Sequence, residues 1–143
     1  MARRSISGTA VFLDAAFAIA LACRGDEHHE RARVLSRDIQ ERRIRVLTTH
    51  GILLEIGNAL SRPVHRAAAT ALLDAALQDP LVEILPLDAS LLREALDLFR
   101  ERPDKDWGLT DCASFAVMRR EAVTESLTCD EHFEQAGFVA LLR

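Results

Sequence analysis

Short apolar strands alternating with helices predict an α/β protein, a three-layer α/β/α sandwich built on a central parallel sheet of about five strands. Two observations carry that expectation. Short apolar runs recur at 11–13, 44–47, 81–85 and 138–141, a further strand reads at 125–128, and helical spacing with capping residues fills most of the intervals between them. The composition, 49% hydrophobic and 28% charged over 143 residues, is that of one ordinary domain, 1–143, able to bury a core without disulfides or structural metal.

Taken in order, Val11-Phe12-Leu13 reads as a buried strand that ends in Asp14. Asp26 is placed to cap a helix running to about residue 42, with Ala32, Leu35 and Ile39 on its inner face. Residues 44–47 form the second strand, and Thr48 or Thr49 can cap the helix that carries Ile52, Leu53, Ile56 and Leu60. Pro63 breaks that helix and opens another, Ala- and Leu-rich, to about residue 77. The third strand is 81–85, followed by a helix from Asp88 or Ser90 to about residue 100. Beyond the loop 102–108, Thr110 is a suitable cap for a helix over 111–120. A strand at 125–128, a short helix at 131–135 and a strand at 138–141 complete the chain.

Composition also excludes some classes. Aromatic residues are sparse at 5% and Tyr is absent, so the core falls to Leu, Ile, Val and Ala. Three cysteines, Cys23, Cys112 and Cys129, suit reduced thiols in a cytoplasm better than a disulfide framework. Cys129 and His132 form a lone Cys-x-x-His, short of the ligand set zinc expects. Arg3-Arg4 followed by the apolar run 10–22 has the outline of a secretion signal, but Asp14 interrupts it where such a region should be uncharged. No run reaches the ~20 apolar residues of a membrane helix. The net charge of −4 argues mildly against binding RNA by charge alone, yet a site that reaches phosphates through metal ions needs less positive charge.

In open parallel sheets, ligands bind beyond the carboxyl ends of the strands. Asp14 closes the first strand, Asp130 lies just past the fourth, and Glu55 and Asp111 sit in early turns of helices entering from the same rim. Four carboxylates from distant parts of the sequence can therefore meet at one edge. Crowded carboxylates repel one another, and a hard divalent ion removes the conflict. Magnesium held by such acids can serve phosphodiester hydrolysis, so the spacing points to a metal-dependent hydrolase. Each acid also has a structural reading: Asp111 as complement to a helix dipole, Asp130 as an N-cap, Glu55 as a solvated helix residue. Asp14 is the hardest to explain structurally, because a carboxylate ending an apolar strand is costly unless something solvates or binds it.

The block Asp106-Trp107-Gly108-Leu109-Thr110-Asp111-Cys112-Ala113-Ser114-Phe115, with Leu127-Thr128-Cys129-Asp130-Glu131-His132-Phe133 and its continuation to Phe138, resembles the PIN-domain family. It is most similar to the VapC-like toxin nucleases of type II toxin–antitoxin pairs. Val11-Phe12-Leu13-Asp14 and Glu55-Ile56-Gly57-Asn58-Ala59-Leu60 agree with the earlier blocks of that family. The resemblance implies a PIN-like fold and an endoribonuclease using Mg²⁺ or Mn²⁺, with Asp14, Glu55, Asp111 and Asp130 as metal-binding and catalytic acids. It implies that Asp14 and Asp111 are central to metal binding, while Glu55 and Asp130 act directly or through water. Thr110 and Thr128 are auxiliary candidates, and Asp106 is expected at the rim. Two departures stand out. PIN domains usually carry Ser, Thr or Asn two residues after the first acid, where this chain has Ala16, and Gly108 replaces a frequent Ser.

The resemblance also implies an RNA substrate, a cognate antitoxin, a homodimer, a cytoplasmic setting and no membrane partner. Arg31, Arg33, Arg37, Arg42, Arg43 and Arg45 can guide RNA or meet an acidic antitoxin, but interspersed Asp38 and Glu41 favour a solvated mixed-charge face. Arg62, His65 and Arg66 lie where relatives often bind a partner. The Ala- and Leu-rich stretch 59–77 offers either a groove for a partner helix or core packing. His28-His29 reads as a solvated helix start, His50 as a site or capping residue, and His132 as a support behind Asp130. Trp107 reads as a base-stacking or loop-packing residue. The alternative within the fold is an RNA- or protein-binding module with catalysis weakened by Ala16. A phosphatase-like hydrolase expects an acid at that same position, and a phospho-receiver domain expects a lysine after a late strand, whereas Lys105 lies in a loop.

Overall fold

The computed structural model describes residues 3–143. Five strands, β1 (Ala10–Leu13), β2 (Arg45–Thr49), β3 (Val82–Leu85), β4 (Glu125–Leu127) and β5 (Val139–Ala140), form one sheet in the order β3-β2-β1-β4-β5. Every pairing is parallel. The helices are α1 (Ala15–Ala22), α2 (His29–Arg42), α3 (His50–Ala59), α4 (Pro63–Gln78), α5 (Ala89–Glu101), α6 (Leu109–Arg120) and α7 (Glu131–Gln135).

Side chains of β1 alternate between two cores, as period-two geometry requires. Phe12 joins Leu47, Ile52, Ile56, Leu91, Phe115 and Phe133 under α3, α5, α6 and α7. Val11 and Leu13 point the other way, to Phe17, Leu35, Ile39, Val46 and Leu127 beneath α1 and α2. The sheet is therefore covered on both faces, which is the predicted sandwich. Both cores are built mainly from aliphatic residues, with Phe12, Phe115 and Phe133 the largest side chains fully buried.

One helix is new relative to the sequence reading. Residues 15–22 are apolar all round, so they carry no amphipathic stripe to announce a helix, and such a helix belongs inside. Phe17, Ala18 and Ala20 are indeed buried. The run that resembled a secretion signal is thus a strand and a helix of the folded core.

Caps settle the remaining boundaries. Thr49, rather than Thr48, caps α3 by accepting the Ile52 N–H, while the Thr48 hydroxyl donates to the Leu13 carbonyl and ties β2 to β1. Asp88, rather than Ser90, caps α5 through the Leu91 N–H. Asp26 forms a turn by accepting the His28 N–H, and α2 begins two residues later than its cap position predicts. Gly108 replaces Thr110 as the cap of α6, so Thr110 lies inside the first turn. Pro63 opens α4 as expected.

The first three strands step outward from β1 to β3, and the chain then crosses back to place β4 on the other side of β1. This reversal makes the gap above β1 and β4 the topological switch point, where open α/β sheets gather ligands.

Candidate active site

Register brings the first pair of site residues together. Leu13 pairs with Leu127 across β1 and β4, so the residues that follow, Asp14 and Thr128, emerge side by side at the carboxyl rim. The Thr128 hydroxyl donates to Asp14 Oδ2 at 2.6 Å and accepts the Asp130 N–H at 3.0 Å. One side chain thus orients the acid after β1 and the segment carrying the acid after β4. Asp14 also stands at the N-cap of α1, but its carboxylate makes no capping bond there. It is turned toward the rim instead.

Packing fixes the second pair. Phe115, one turn after Asp111, meets Phe133 of α7 edge to face with ring centroids 5.0 Å apart, and Phe133 also contacts Phe12 of β1. This sets the first turn of α6 against the first turn of α7. Asp111 Oδ2 accepts the Gly108 N–H at 3.1 Å, and Asp130 Oδ1 accepts the His132 N–H at 2.9 Å, so both acids complement helix amino termini as their structural readings propose. The His132 ring lies between them, with Nδ1 3.1 Å from Asp111 Oδ2 and 3.5 Å from Asp130 Oδ1. One donor atom from each of Asp111, Asp130 and His132 lies within 4.8 Å of the others.

Glu55 enters from α3. The first turn of that helix packs against α6, with Gly51 beside the Thr110 methyl. Burial pushes the Glu55 carboxyl above its usual range, a hydrogen bond from Thr110 partly offsets this, and Asp111 and Asp130 raise it further. Asp14 is pushed up to about 6, chiefly by burial. Its bonds from the Thr128 hydroxyl and the Ala15 backbone oppose the shift, while Glu55 and Asp111 add to it. Asp14 thus lies within charge range of Glu55 and Asp111, and Glu55 within range of Asp111 and Asp130. Among the described residues, Asp111, Asp130 and His132 are the group that presents three donor atoms within 4.8 Å of one another.

The other residues singled out in the sequence separate from this site. Trp107 is buried, donates to Gln135 Oε1 at 3.0 Å and packs edge to face on Phe115, so its ring is committed to the fold. Asp106 and His50 are exposed. His29 is more than a solvated helix start, because Nδ1 lies 2.7 Å from the Ala20 carbonyl. Arg31 bonds the carbonyls of Leu141 and Arg4, Arg42 bonds that of Ile6, and Arg33 and Arg45 pair with Glu30 and Glu83. Much of the arginine-rich face therefore holds the chain's own segments and acids. Burial pushes the Cys129 thiol up, and among the described residues Cys129 joins no metal-holding group.

The sequence reading placed His132 behind Asp130, and the structure puts its ring between two acids. The available signal was its position two residues after the Asp130 cap, which returns the side chain to the same rim.

Comparison with known proteins accords with this geometry. Residues 11–139 match the PIN domain family. The chain belongs to the PIN-domain family. It is 30% identical over 131 residues to the 23S rRNA-specific endonuclease VapC20 of Mycobacterium tuberculosis, strains CDC 1551 / Oshkosh and ATCC 25618 / H37Rv, spanning 90% of this chain and 95% of the relative. The crystal structure of Mycobacterium tuberculosis VapC20, described as a Sarcin-Ricin loop cleaving toxin, superposes with a TM-score of 0.80 at 28% identity, covering 90% of this chain and 96% of the other. FitAcB from Neisseria gonorrhoeae shares the fold with a TM-score of 0.63 at 17% identity, over 91% of this chain and 95% of that one. This PIN domain is a VapC-like toxin nuclease.

Proposed function

We propose that this PIN domain, as one unit over 1–143, is a divalent-metal-dependent endoribonuclease with Asp14, Glu55, Asp111 and Asp130 as its acid set. The observation that carries the reading is Asp14: a buried carboxylate pushed to about 6, facing two further acids and held at its post by Thr128. Such crowding costs stability unless a cation relieves it. The donor set is carboxylate oxygen, which fits Mg²⁺ or Mn²⁺.

Asp14, Asp111 and Asp130 would hold the ion, with Glu55 directly or through water. Bound there, a divalent ion supplies Lewis-acid polarisation of the phosphodiester and a more acidic water. Glu55, raised by burial and by Asp111 and Asp130, is suited to take a proton from the attacking water. Thr110 lies beside Glu55 and lowers its carboxyl's shift, and Thr128 orients both Asp14 and the Asp130 segment. Ala16 removes a polar group from the first turn of α1, but the orienting bond on Asp14 comes from Thr128 on the opposite side.

The named substrate of the relative makes 23S rRNA the first RNA to test. By the same kinship the partners are a cognate antitoxin and a second copy of this chain, in a cytoplasmic setting. Among the described residues no helix is long and apolar enough to cross a membrane. The test is primer extension on 23S rRNA incubated with the chain in Mg²⁺ or Mn²⁺, against EDTA and against Asp111→Asn. Cleavage is expected with metal alone and is expected to fall by more than ~100-fold in the variant. Cleavage that survives EDTA, or that Asp111→Asn leaves intact, overturns the reading.

A further inference from the structure

We propose that His132 is itself a ligand of the divalent ion, making the centre a mixed carboxylate–imidazole site that selects Mn²⁺ over Mg²⁺; this rests on the metal-centre reading above. The geometry comes first. Nδ1 stands 3.1 Å from Asp111 Oδ2 and 3.5 Å from Asp130 Oδ1. Neighbouring ligands on an octahedral ion with bonds of about 2.1 Å are about 3 Å apart. Each of the two nitrogen–oxygen separations is close to that of adjacent positions on such an ion, and the two oxygens lie within 4.8 Å of each other.

The ring is also held where it is. The His132 backbone N–H is bonded to Asp130 Oδ1, and the next residue, Phe133, is wedged against Phe115 and Phe12. Among the described residues the polar partners of the imidazole are Asp111 and Asp130. All three side chains keep part of their surface open, at 23%, 22% and 39% for His132, Asp111 and Asp130, so an ion can reach them from water.

Chemistry supplies the selectivity. Carboxylates and water suit Mg²⁺ and Mn²⁺ alike, and an imidazole nitrogen added to them tips the balance toward Mn²⁺, the softer transition ion of the two. On loading, Nδ1 presents its lone pair, the ring proton resides on Nε2, and the Asp111–His132 contact gives way to bonds with a shared ion. The rival role is a positioning one, in which the ring only hydrogen-bonds Asp111 and stays outside the ligand set.

Electron spin echo spectroscopy of the full chain loaded with Mn²⁺ separates the two, because a directly bound imidazole imprints ¹⁴N modulation on the manganese signal. The wild-type chain is expected to show that modulation and His132→Gln to lack it. Calorimetric titration is expected to show Mn²⁺ affinity falling on the order of tenfold in His132→Gln, with Mg²⁺ affinity changing by less than about twofold. Bound Mn²⁺ without nitrogen coupling in the wild type, or equal weakening of both ions in the variant, overturns the histidine proposal and leaves the metal centre standing. Failure of the wild-type chain to bind Mn²⁺, or undiminished binding by Asp111→Asn, overturns the centre and the proposal together. The wild-type spectrum needs no variant to fold.

Discussion

At the amino-terminal rim of the sheet Glu125 opens β4 and is 5% exposed, while at the carboxyl-terminal rim Asp14 follows β1 and is 8% exposed. The two carboxylates are almost equally buried and differ in what surrounds them. Glu125 receives the Ser7 N–H on both oxygens, at 3.1 and 3.0 Å, and the Gly8 N–H at 2.7 Å. Its charge is met by backbone donors, and it clasps the segment before β1 to the sheet. Asp14 receives the Thr128 hydroxyl and the Ala15 backbone, and its other neighbours include Glu55 and Asp111. Burial by itself does not mark a functional acid. What distinguishes the two is that Asp14, besides its two donors, has the acids Glu55 and Asp111 as neighbours, and the proposed metal centre rests on that difference.

Replacing each acid in turn gives the sharpest contrast. Asp14→Asn is expected to lower RNA cleavage by more than ~100-fold, while Glu125→Ala, assayed well below its melting temperature, stays within about twofold of wild type. A comparable loss in both variants would erase the distinction between the rims.

Stability should move in opposite directions. The Asp14 pKa rises from 3.8 to about 6 on folding, so the native state holds that proton more tightly than the unfolded chain. Its favourable contribution is complete below the unfolded value and is lost as pH rises through about 6. The gap is worth roughly 3 kcal/mol as an upper figure. Metal-free Asp14→Asn is therefore expected to be more stable than wild type at pH 7.5, by about 2 kcal/mol, with the advantage shrinking toward pH 4 in urea titrations. Saturating Mn²⁺ should raise the melting temperature of wild type and leave Asp14→Asn nearly unmoved. A variant less stable than wild type at pH 7.5 without metal would show that Asp14 is a structural acid like Glu125.

Glu125→Ala removes the acceptor for two backbone N–H groups and is expected to cost about 1–2 kcal/mol, lowering the melting temperature by roughly 3–8 °C without changing Mn²⁺ affinity. The smallest effect is at the hydroxyl joining the acids. Thr128→Val is expected to weaken Mn²⁺ binding about tenfold, and Thr128→Ser to restore it, by calorimetry. Loss of affinity in the serine variant as well would trace the effect to packing of the methyl group.

Much of the fold was open to sequence reading because strands buried on both faces, proline and cap residues all act within a few positions. Val11-Phe12-Leu13, Pro63 and the Asp130-capped turn are of this kind. The helix of residues 15–22 was not legible, since a uniformly apolar segment carries no periodicity to separate helix from signal. Nor was the choice of Gly108 over Thr110 as cap, where the Asp111 carboxylate supplies the bond to the cap N–H.

The candidate site divides along the same line. Asp14, Glu55, Asp111 and Asp130 could be named from residue type, from their placement after strands and in early helical turns, and from family resemblance. Their inequality could not. Strand register decided that Thr128 would bond Asp14, and the contact of Phe115 with Phe133 decided that the turns bearing Asp111 and His132 would meet. The sequence by itself determined which groups line the rim, because alternation and capping are local. Tertiary structure alone decided which acid is buried beside other acids and which receives an imidazole, because desolvation and charge coupling depend on distances between segments far apart in the chain.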